Sequence, residues 1–267
     1  MEKIEQVIIE KKIISCLNCP FIVGMFDSFQ TFTYCIFVLE YVDYGTLDGL
    51  IKRSSGLSEK VARFFGGQIL LGLEYLHTVG ILHKDLRPEN IVVSRKGNVK
   101  IIDFGTADLI TNIDSCRVYG NTEYMAPEVI RQENYDMRAD IWSFGMCLYE
   151  MQSGFNPFDD VSEPMIKIKI TNIELKYNKD KFSDNSAALL ENILIKNKNW
   201  RMKIAEIKLH KWWEDISWTD LYFSNIESPF SVDELDDEKA SNELELTTNP
   251  FVERMRTNKL VELFKNF

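Results

Sequence analysis

The sequence predicts an α+β fold, in which a small part that carries strands is followed by a larger and mainly helical part. The first 42 residues combine one amphipathic helical pattern with two aromatic and β-branched segments. A long helical pattern with one apolar face follows, and beyond Gly120 the apolar spacing is almost entirely helical. With 267 residues, 45% of them hydrophobic, the chain can bury a sizeable core in one or two domains.

The first predicted element is an amphipathic helix over residues 2–17, where isoleucine, valine and leucine recur among charges. Two strands follow, in the segments FIVGMFDSF and YCIFVLEYV, joined by a polar turn. A long helix is predicted to begin after Ser58, because serine is a favoured N-cap and apolar residues recur on one face beyond it. The segments NIVVS and VKIID are two further short strands.

The later elements are predicted to be helices. RADIWSFGMCLYEMQSG is apolar nearly all round, which is typical of a helix buried inside a domain. SAALLENILIKN and IAEIKLHKWW have the spacing of amphipathic helices. The acidic stretch DELDDEKASNELE, at residues 233–245, is predicted to be a solvated and weakly ordered segment.

The overall charge narrows the classes of partner. The chain has 31 Lys plus Arg against 41 Asp plus Glu, a net charge of -10, which argues against nucleic acid and is compatible with cationic peptides. No apolar run approaches the roughly 18 residues of a membrane span, so we expect no transmembrane segment and a cytoplasmic or nuclear location. Five widely spread cysteines suit a reducing compartment, and the lone Cys16-x-x-Cys19 pair has no second pair to complete a zinc site.

The segment ILHKDLRPENIVV carries the residues with the clearest chemistry. Phosphoryl transfer to a hydroxyl needs a carboxylate that accepts the proton, a cation near the moving phosphoryl group, and oxygen ligands for Mg²⁺. Asp85 could be the base and Arg87 the cation. Asn90 and Asp103, the latter at the end of the strand VKIID, could be the two metal ligands.

These residues belong to a set of motifs that resembles the eukaryotic protein kinases. HKDLRPEN matches the catalytic loop, DFG at 103–105 the magnesium loop, APE at 126–128 the end of the activation segment, and DIWSFG at 140–145 the central helix. The resemblance covers residues 2–213. It implies a two-lobe kinase fold, an ATP- and Mg²⁺-dependent transferase, and an ion pair between Glu128 and Arg201.

Within that family the chain is most similar to the AGC group of serine/threonine kinases. The resemblance divides the chain into a partial small lobe at 1–40, formed by a helix and a β-hairpin, a large lobe at 41–216, and an AGC-like C-terminal tail at 217–267. Phe264 and Phe267 resemble the hydrophobic motif that ends this tail, although the end of a short amphipathic helix explains them equally well.

The resemblance also implies roles for individual side chains around the catalytic loop. Glu40, Val42 and Val92 match positions that contact the nucleotide in kinases. Glu89 and Glu150 match carboxylates that bind an arginine of basic substrates, so we expect basic peptides or proteins as partners. Two further matches are regulatory: Glu10 corresponds to the partner of the strand lysine, and Lys84 to the residue that meets the activation loop.

Four positions differ from the family pattern. Lys84 stands where the family usually has arginine, and Arg87 where it usually has lysine. Asn121 stands where a threonine is usual, and Arg117 occupies the position of the activating threonine. No G-x-G-x-x-G segment and no strand lysine precede Glu10, so we expect an N-terminally truncated kinase domain. Three functions stay open: an active serine/threonine kinase, a catalytically impaired pseudokinase that acts as a scaffold, and a truncated fragment of an active kinase.

Overall fold

The computed structural model describes residues 2–31, 34–112 and 120–232. Arg117, the acidic stretch at 233–245, Phe264 and Phe267 lie outside the described residues, so the predictions made for them are not addressed by the structure. The elements discussed below are, in chain order, α1 (Glu2–Cys16), β1 (Met25–Gln30), β2 (Cys35–Leu39), β3 (Gly45–Thr46), α2 (Leu47–Ser54), α3 (Glu59–Thr78), β4 (Ile81–Leu82), β5 (Ile91–Val93), β6 (Val99–Ile101), β7 (Asp108–Leu109), α4 (Pro127–Ile130), α5 (Arg138–Ser153), α6 (Glu163–Asn172), α7 (Asp184–Ile193), α8 (Ile204–Lys208) and α9 (Trp218–Tyr222).

The first 40 residues contain the predicted helix α1 and the predicted antiparallel hairpin β1–β2. The first strand begins later than the sequence predicted, because residues 21–23 run beside β6 instead. There, Val23 N donates to the Ile101 carbonyl at 3.0 Å, and Ile101 N donates to the Phe21 carbonyl at 2.8 Å. This pairing moves three apolar side chains into the core and ties the first part of the chain to the larger part.

Helices α3 and α5 form the centre of the larger part. The Ser58 hydroxyl accepts a hydrogen bond from Val61 N, so the predicted N-cap of α3 is confirmed. All residues of α5 after Arg138 are buried, as its apolar composition predicted. A Cβ atom on Gly66 would lie 2.5 Å from Leu148 Cδ2, so glycine at this position lets α3 pack closely on α5.

Three small antiparallel sheets position the loops between the helices. Their strand orders are β1-β2, β3-β5-β6 and β4-β7. In the second sheet Val92 pairs with Thr46 on one side and Lys100 on the other, and in the third Leu82 pairs with Asp108. The loop with Asp85 leaves β4 and the one with Asp103 leaves β6, so both start from paired strands.

Two of the later helices end before the predicted residues, and the helix predicted over 186–197 is α7, which ends at Ile193. The helix expected over residues 204–213 ends at Lys208, and a separate 3₁₀ turn covers Lys211–Trp213. The His210 side chain caps this turn by accepting from Trp212 N at 3.2 Å, which lets both tryptophans be buried. Within the described ranges, no helix is long and apolar enough to cross a membrane.

Candidate active site

A buried carboxylate on α5, Asp140, organises the start of the catalytic loop. It accepts backbone hydrogen bonds from His83 N at 3.0 Å and Lys84 N at 2.9 Å, and it contacts His77 Nε2 at 2.9 Å. Burial alone would raise the pKa of Asp140, but the His77 hydrogen bond and the neighbouring imidazoles outweigh it and hold that pKa below its usual range. Asp140 therefore stays ionised and holds Lys84 at a φ of 66°, in the left-handed region.

The Asp85 carboxylate has a defined partner on each oxygen. Oδ1 accepts a hydrogen bond from the backbone N–H of Asn121 at 2.9 Å, and Oδ2 accepts one from Asn90 Nδ2 at 3.0 Å. Arg87 Nε lies 3.5 Å from Oδ2. Each carboxylate oxygen has two lone-pair sites, so these contacts orient Asp85 and still leave capacity for one more donor.

Asn90 and Asp103 present the oxygen atoms that a magnesium site needs. Asn90 Nδ2 also donates to the backbone carbonyl of Asp85 at 2.9 Å. The backbone carbonyl of Asn90 accepts from Ile102 N at 2.9 Å. With its nitrogen held in this way, the Asn90 side chain keeps its amide oxygen for a metal. Asp103 is exposed at a φ of 64°, and its Oδ1 accepts from Gly105 N at 3.1 Å. An amide and a carboxylate oxygen fit Mg²⁺.

Two carboxylates, Glu89 and Glu150, lie near each other beside the catalytic loop. The Tyr124 hydroxyl donates to Glu150 Oε2 at 2.5 Å, and Arg87 Nη1 lies 3.7 Å from Glu89 Oε1. Burial raises the pKa of Glu150 to about 7; the Tyr124 hydrogen bond opposes this rise, and the Glu89 and Asp48 carboxylates add to it. A cationic side chain placed here would compensate two carboxylates at once.

The residues predicted to contact a nucleotide lie close to one another. Glu40 follows β2, and its Oε2 accepts from Gly24 N at 3.2 Å and pairs with Lys100 Nζ at 3.0 Å. Lys100 is the cross-strand partner of Val92, so Glu40 and Val92 are linked through one lysine. Val42 is half-buried two residues beyond Glu40.

Glu10, on α1, lies beside the loop that carries Asp103. A Cβ atom on Gly105 would be 3.2 Å from Asp103 Oδ1 and 3.7 Å from Glu10 Oε2. Both carboxylates therefore lie close to the same side of Gly105. Burial raises the pKa of Glu10 to about 7, and the charge of Asp103 adds to the rise. In the part of the chain that the structure describes, no lysine or arginine forms an ion pair with Glu10.

Two further ion pairs involve residues that the resemblance singled out. Glu128 and Arg201 form a buried bidentate pair, with distances of 2.6 and 2.9 Å between their oxygen and nitrogen atoms. The Arg201 guanidinium also lies 5.2 Å from the centre of the Trp142 ring. Lys84 Nζ lies 3.5 Å from Asp108 Oδ2, and burial lowers the pKa of Lys84 although Asp108 opposes this.

The structure thus brings Asp85, Arg87 and Asn90 together. Sequence reasoning did not assign roles to Asp140 and the Asn121 amide, which hold this arrangement, or to the Tyr124 hydroxyl, which holds Glu150. The position of Asp140 at the start of DIWSFG and of Tyr124 shortly before APE were the available signals. A backbone N–H is present at nearly every residue, so the sequence contains no signal for the role of the Asn121 amide.

Comparison with known proteins finds similarity over nearly the same range as the kinase motifs. The family described as "Protein kinase domain" matches residues 1–213. The cAMP-dependent protein kinase type 3 of Saccharomyces cerevisiae is 31% identical over 235 residues, which are 86% of this chain and 58% of that protein. The cAMP-dependent protein kinase catalytic subunit of Schizosaccharomyces pombe is 34% identical, over 86% of this chain and 46% of its own length.

A third relative, the RAC family serine/threonine-protein kinase homolog of Dictyostelium discoideum, is 34% identical over 85% of this chain and 52% of its own length. The chain therefore spans about half the length of the curated relatives that it matches. These relatives are AGC-type kinases, which confirms the resemblance and the α+β kinase fold inferred from the motifs. The match over most of the sequence means that this chain belongs to the protein kinase domain family.

Proposed function

We propose that this chain is a serine/threonine protein kinase that transfers phosphate from Mg²⁺-ATP to basic proteins or peptides. The observation that carries the proposal is the orientation of the Asp85 carboxylate, which accepts hydrogen bonds from Asn90 and from the backbone of Asn121. The relatives are named as protein kinases, and protein kinases generally use ATP and Mg²⁺, which supports the same cofactors here.

The proposed mechanism assigns one task to each side chain. Asp85 orients the hydroxyl of a substrate serine or threonine and takes its proton. Arg87 keeps a positive charge beside that carboxylate, at 3.5 Å. Asn90 and Asp103 would hold Mg²⁺, and the bound ion would supply positive charge at the phosphates of ATP. Glu40, Val42 and Val92 hold the nucleotide.

Glu89 and Glu150 support the preference for basic substrates. The Glu150 carboxylate is buried, accepts a hydrogen bond from Tyr124 and has a raised pKa, so an arginine would relieve the cost of ionising it. Bidentate pairing makes arginine a better ligand than lysine for such a pair of carboxylates.

A catalytically impaired scaffold is the second candidate function. One observation favours it. Glu10 lies near Asp103, and among the described residues no lysine or arginine forms an ion pair with Glu10. Two neighbouring carboxylates weaken nucleotide phosphate binding by repulsion unless Mg²⁺ lies near them.

Transfer of labelled phosphate from ATP to a serine peptide rich in arginine tests the proposal. The 267-residue chain should label the peptide only when Mg²⁺ is present, and Asp85→Asn should lower kcat by at least about a thousandfold, as expected for loss of a general base. Asp180→Asn, which changes an exposed aspartate of a distant loop, is the matched control and should keep full activity.

Equal labelling by the wild-type chain and Asp85→Asn would contradict the role of Asp85. Thermal unfolding separates the two candidate functions, because a ligand of the native state raises the unfolding temperature. A rise with Mg²⁺-ATP together with peptide labelling supports the kinase, whereas no labelling and no rise supports the scaffold.

A further inference from the structure

The peptide unit between Gly120 and Asn121 contacts the Asp85 carboxylate through its backbone. The N–H of Asn121 donates to Asp85 Oδ1 at 2.9 Å. The Asn121 side chain points its oxygen elsewhere, since Oδ1 accepts from Glu123 N at 3.0 Å and caps the 3₁₀ turn Thr122–Tyr124. The group that holds Asp85 is therefore the main chain at position 121 and not the side chain.

Gly120 makes this contact possible. Its φ of 95° lies in the left-handed region that favours glycine. A Cβ atom at this position would lie 2.7 Å from the Lys84 carbonyl oxygen and 2.9 Å from Asp85 Oδ1. Neither atom can retreat easily, because the Lys84 backbone is held by Asp140 and the Asp85 carboxylate by Asn90. Any larger residue would push the carboxylate away from its position.

We propose that the Gly120–Asn121 peptide is the positioning element for Asp85, and that its backbone N–H replaces the side-chain hydroxyl that threonine would offer at position 121. This inference rests on the proposed function, in which Asp85 is the base. Asparagine at this position is therefore not a loss of the donor to Asp85, because the backbone N–H is kept by every residue except proline. Without that N–H, Asp85 Oδ1 loses its partner, and the carboxylate is held through Oδ2 alone, by Asn90.

Substitution of Asn121 by proline or by alanine distinguishes the role of its backbone N–H from the role of its side chain. Asn121→Pro removes the N–H, and the φ of -80° at this residue is compatible with the proline ring. Asn121→Ala keeps the N–H and removes only the side chain that caps Glu123. A hydrogen bond to a charged group is worth about 1.5–3 kcal/mol, which corresponds to about tenfold to a hundredfold in rate, so Asn121→Pro should lower kcat by that factor.

Because the hydrogen bond acts on Asp85 and not on substrate binding, KM for ATP and for the peptide should change by less than about twofold in Asn121→Pro. Asn121→Ala should lower kcat by no more than about threefold, through the weakened cap. Gly120→Ala should resemble the proline variant. Equal losses of kcat in Asn121→Pro and Asn121→Ala, or an unchanged kcat in Asn121→Pro, would overturn the inference.

Amide hydrogen exchange gives a readout that does not need activity. In the wild-type chain the Asn121 amide should be protected, and Asp85→Ala should abolish that protection, whereas the control Asp180→Ala should leave it in place. If the wild-type chain transfers no phosphate, the proposed function fails, but the exchange result still decides whether this amide holds Asp85. If the exchange rate of the Asn121 amide is the same in Asp85→Ala as in the wild-type chain, that result alone overturns the inference.

Discussion

The two sides of the candidate site are built differently. On the large-lobe side, Asp85 and Asp140 each accept hydrogen bonds from more than one group, and Asp140 is held ionised by His77 and two backbone amides. On the side of α1, Glu10 is partly buried beside Asp103, and its pKa rises to about 7. The fully buried Asp140 thus has a lowered pKa and the partly buried Glu10 a raised one. Hydrogen bonds and imidazoles offset burial at Asp140, whereas at Glu10 burial and the Asp103 charge act in the same direction.

This contrast distinguishes carboxylates that protein donors already orient from a carboxylate that has no such donors within the described ranges. The donors to Asp85 and Asp140 come from the loop itself, from α3 and from the segment before α4, so the Asp85 carboxylate is oriented by the protein alone. Glu10 has no such donors among the described residues, and burial raises its pKa to about 7. The predictions below test this difference, from the largest expected effect to the smallest.

The largest effect should come from the buried pair on the large-lobe side. Glu128→Gln leaves the Arg201 guanidinium buried with an uncompensated charge, so it should lower the free energy of unfolding by about 3–5 kcal/mol, measured by urea titration. Lys179→Ala is the control, since Lys179 and Asp184 are both exposed and their pair should contribute little. A loss below about 1 kcal/mol in Glu128→Gln would contradict this estimate.

Asp140→Asn should have the next largest effect. The amide would place an NH₂ group against one of the backbone donors of His83 and Lys84, so we expect a loss of about 2 kcal/mol in unfolding free energy. Because Lys84 precedes Asp85, kcat should also fall by about tenfold while KM for ATP stays near its wild-type value. Wild-type stability and kcat in Asp140→Asn would show that the loop is held by other contacts.

Glu10→Gln should stabilise the protein in a pH-dependent way. In the unfolded chain Glu10 ionises near its ordinary pKa of 4.5, whereas in the folded chain it ionises near 7. The stability that protonated Glu10 contributes is therefore fully present below pH 4.5 and is lost as the pH rises through 7.

Glutamine resembles the protonated acid at every pH. Glu10→Gln should match the wild-type chain near pH 4.5 and exceed its stability by about 1 kcal/mol at pH 8, measured by thermal unfolding at several pH values. Equal stability at pH 8 would mean that a cation compensates Glu10. Glu227→Gln, an exposed site, is the control.

The smallest effect concerns substrate binding at Glu150. Its pKa is raised to about 7, so the carboxylate becomes charged between pH 6 and 8, and KM for an arginine peptide should fall by about threefold over that range. The change is small because a bound arginine itself favours ionisation. A peptide with alanine in place of arginine, and the variant Glu150→Gln, should both lose this pH dependence of KM; its persistence in Glu150→Gln would exclude Glu150 as the titrating group.

The sequence alone determined the fold class and the helices α1, α3, α5, α7 and α8, but not α2, α4, α6 and α9. Ser58 was correctly predicted as an N-cap, because capping depends on residues a few positions apart, whereas the roles given to Asp85, Asn90 and Asp103 stay predictions. It did not predict the break of the last long helix at Lys208, where burial of two adjacent tryptophans outweighed helical spacing.

Only the tertiary structure decided which groups hold the catalytic loop and what charge they carry. Asp140 lies more than 50 residues from His83, and the amide of Asn121 lies 36 residues from Asp85. The raised pKa values of Glu10 and Glu150 and the lowered one of Asp140 come from burial set against nearby donors. These terms depend on distances between atoms that are remote in sequence, and the folded chain alone brings them within reach of one another.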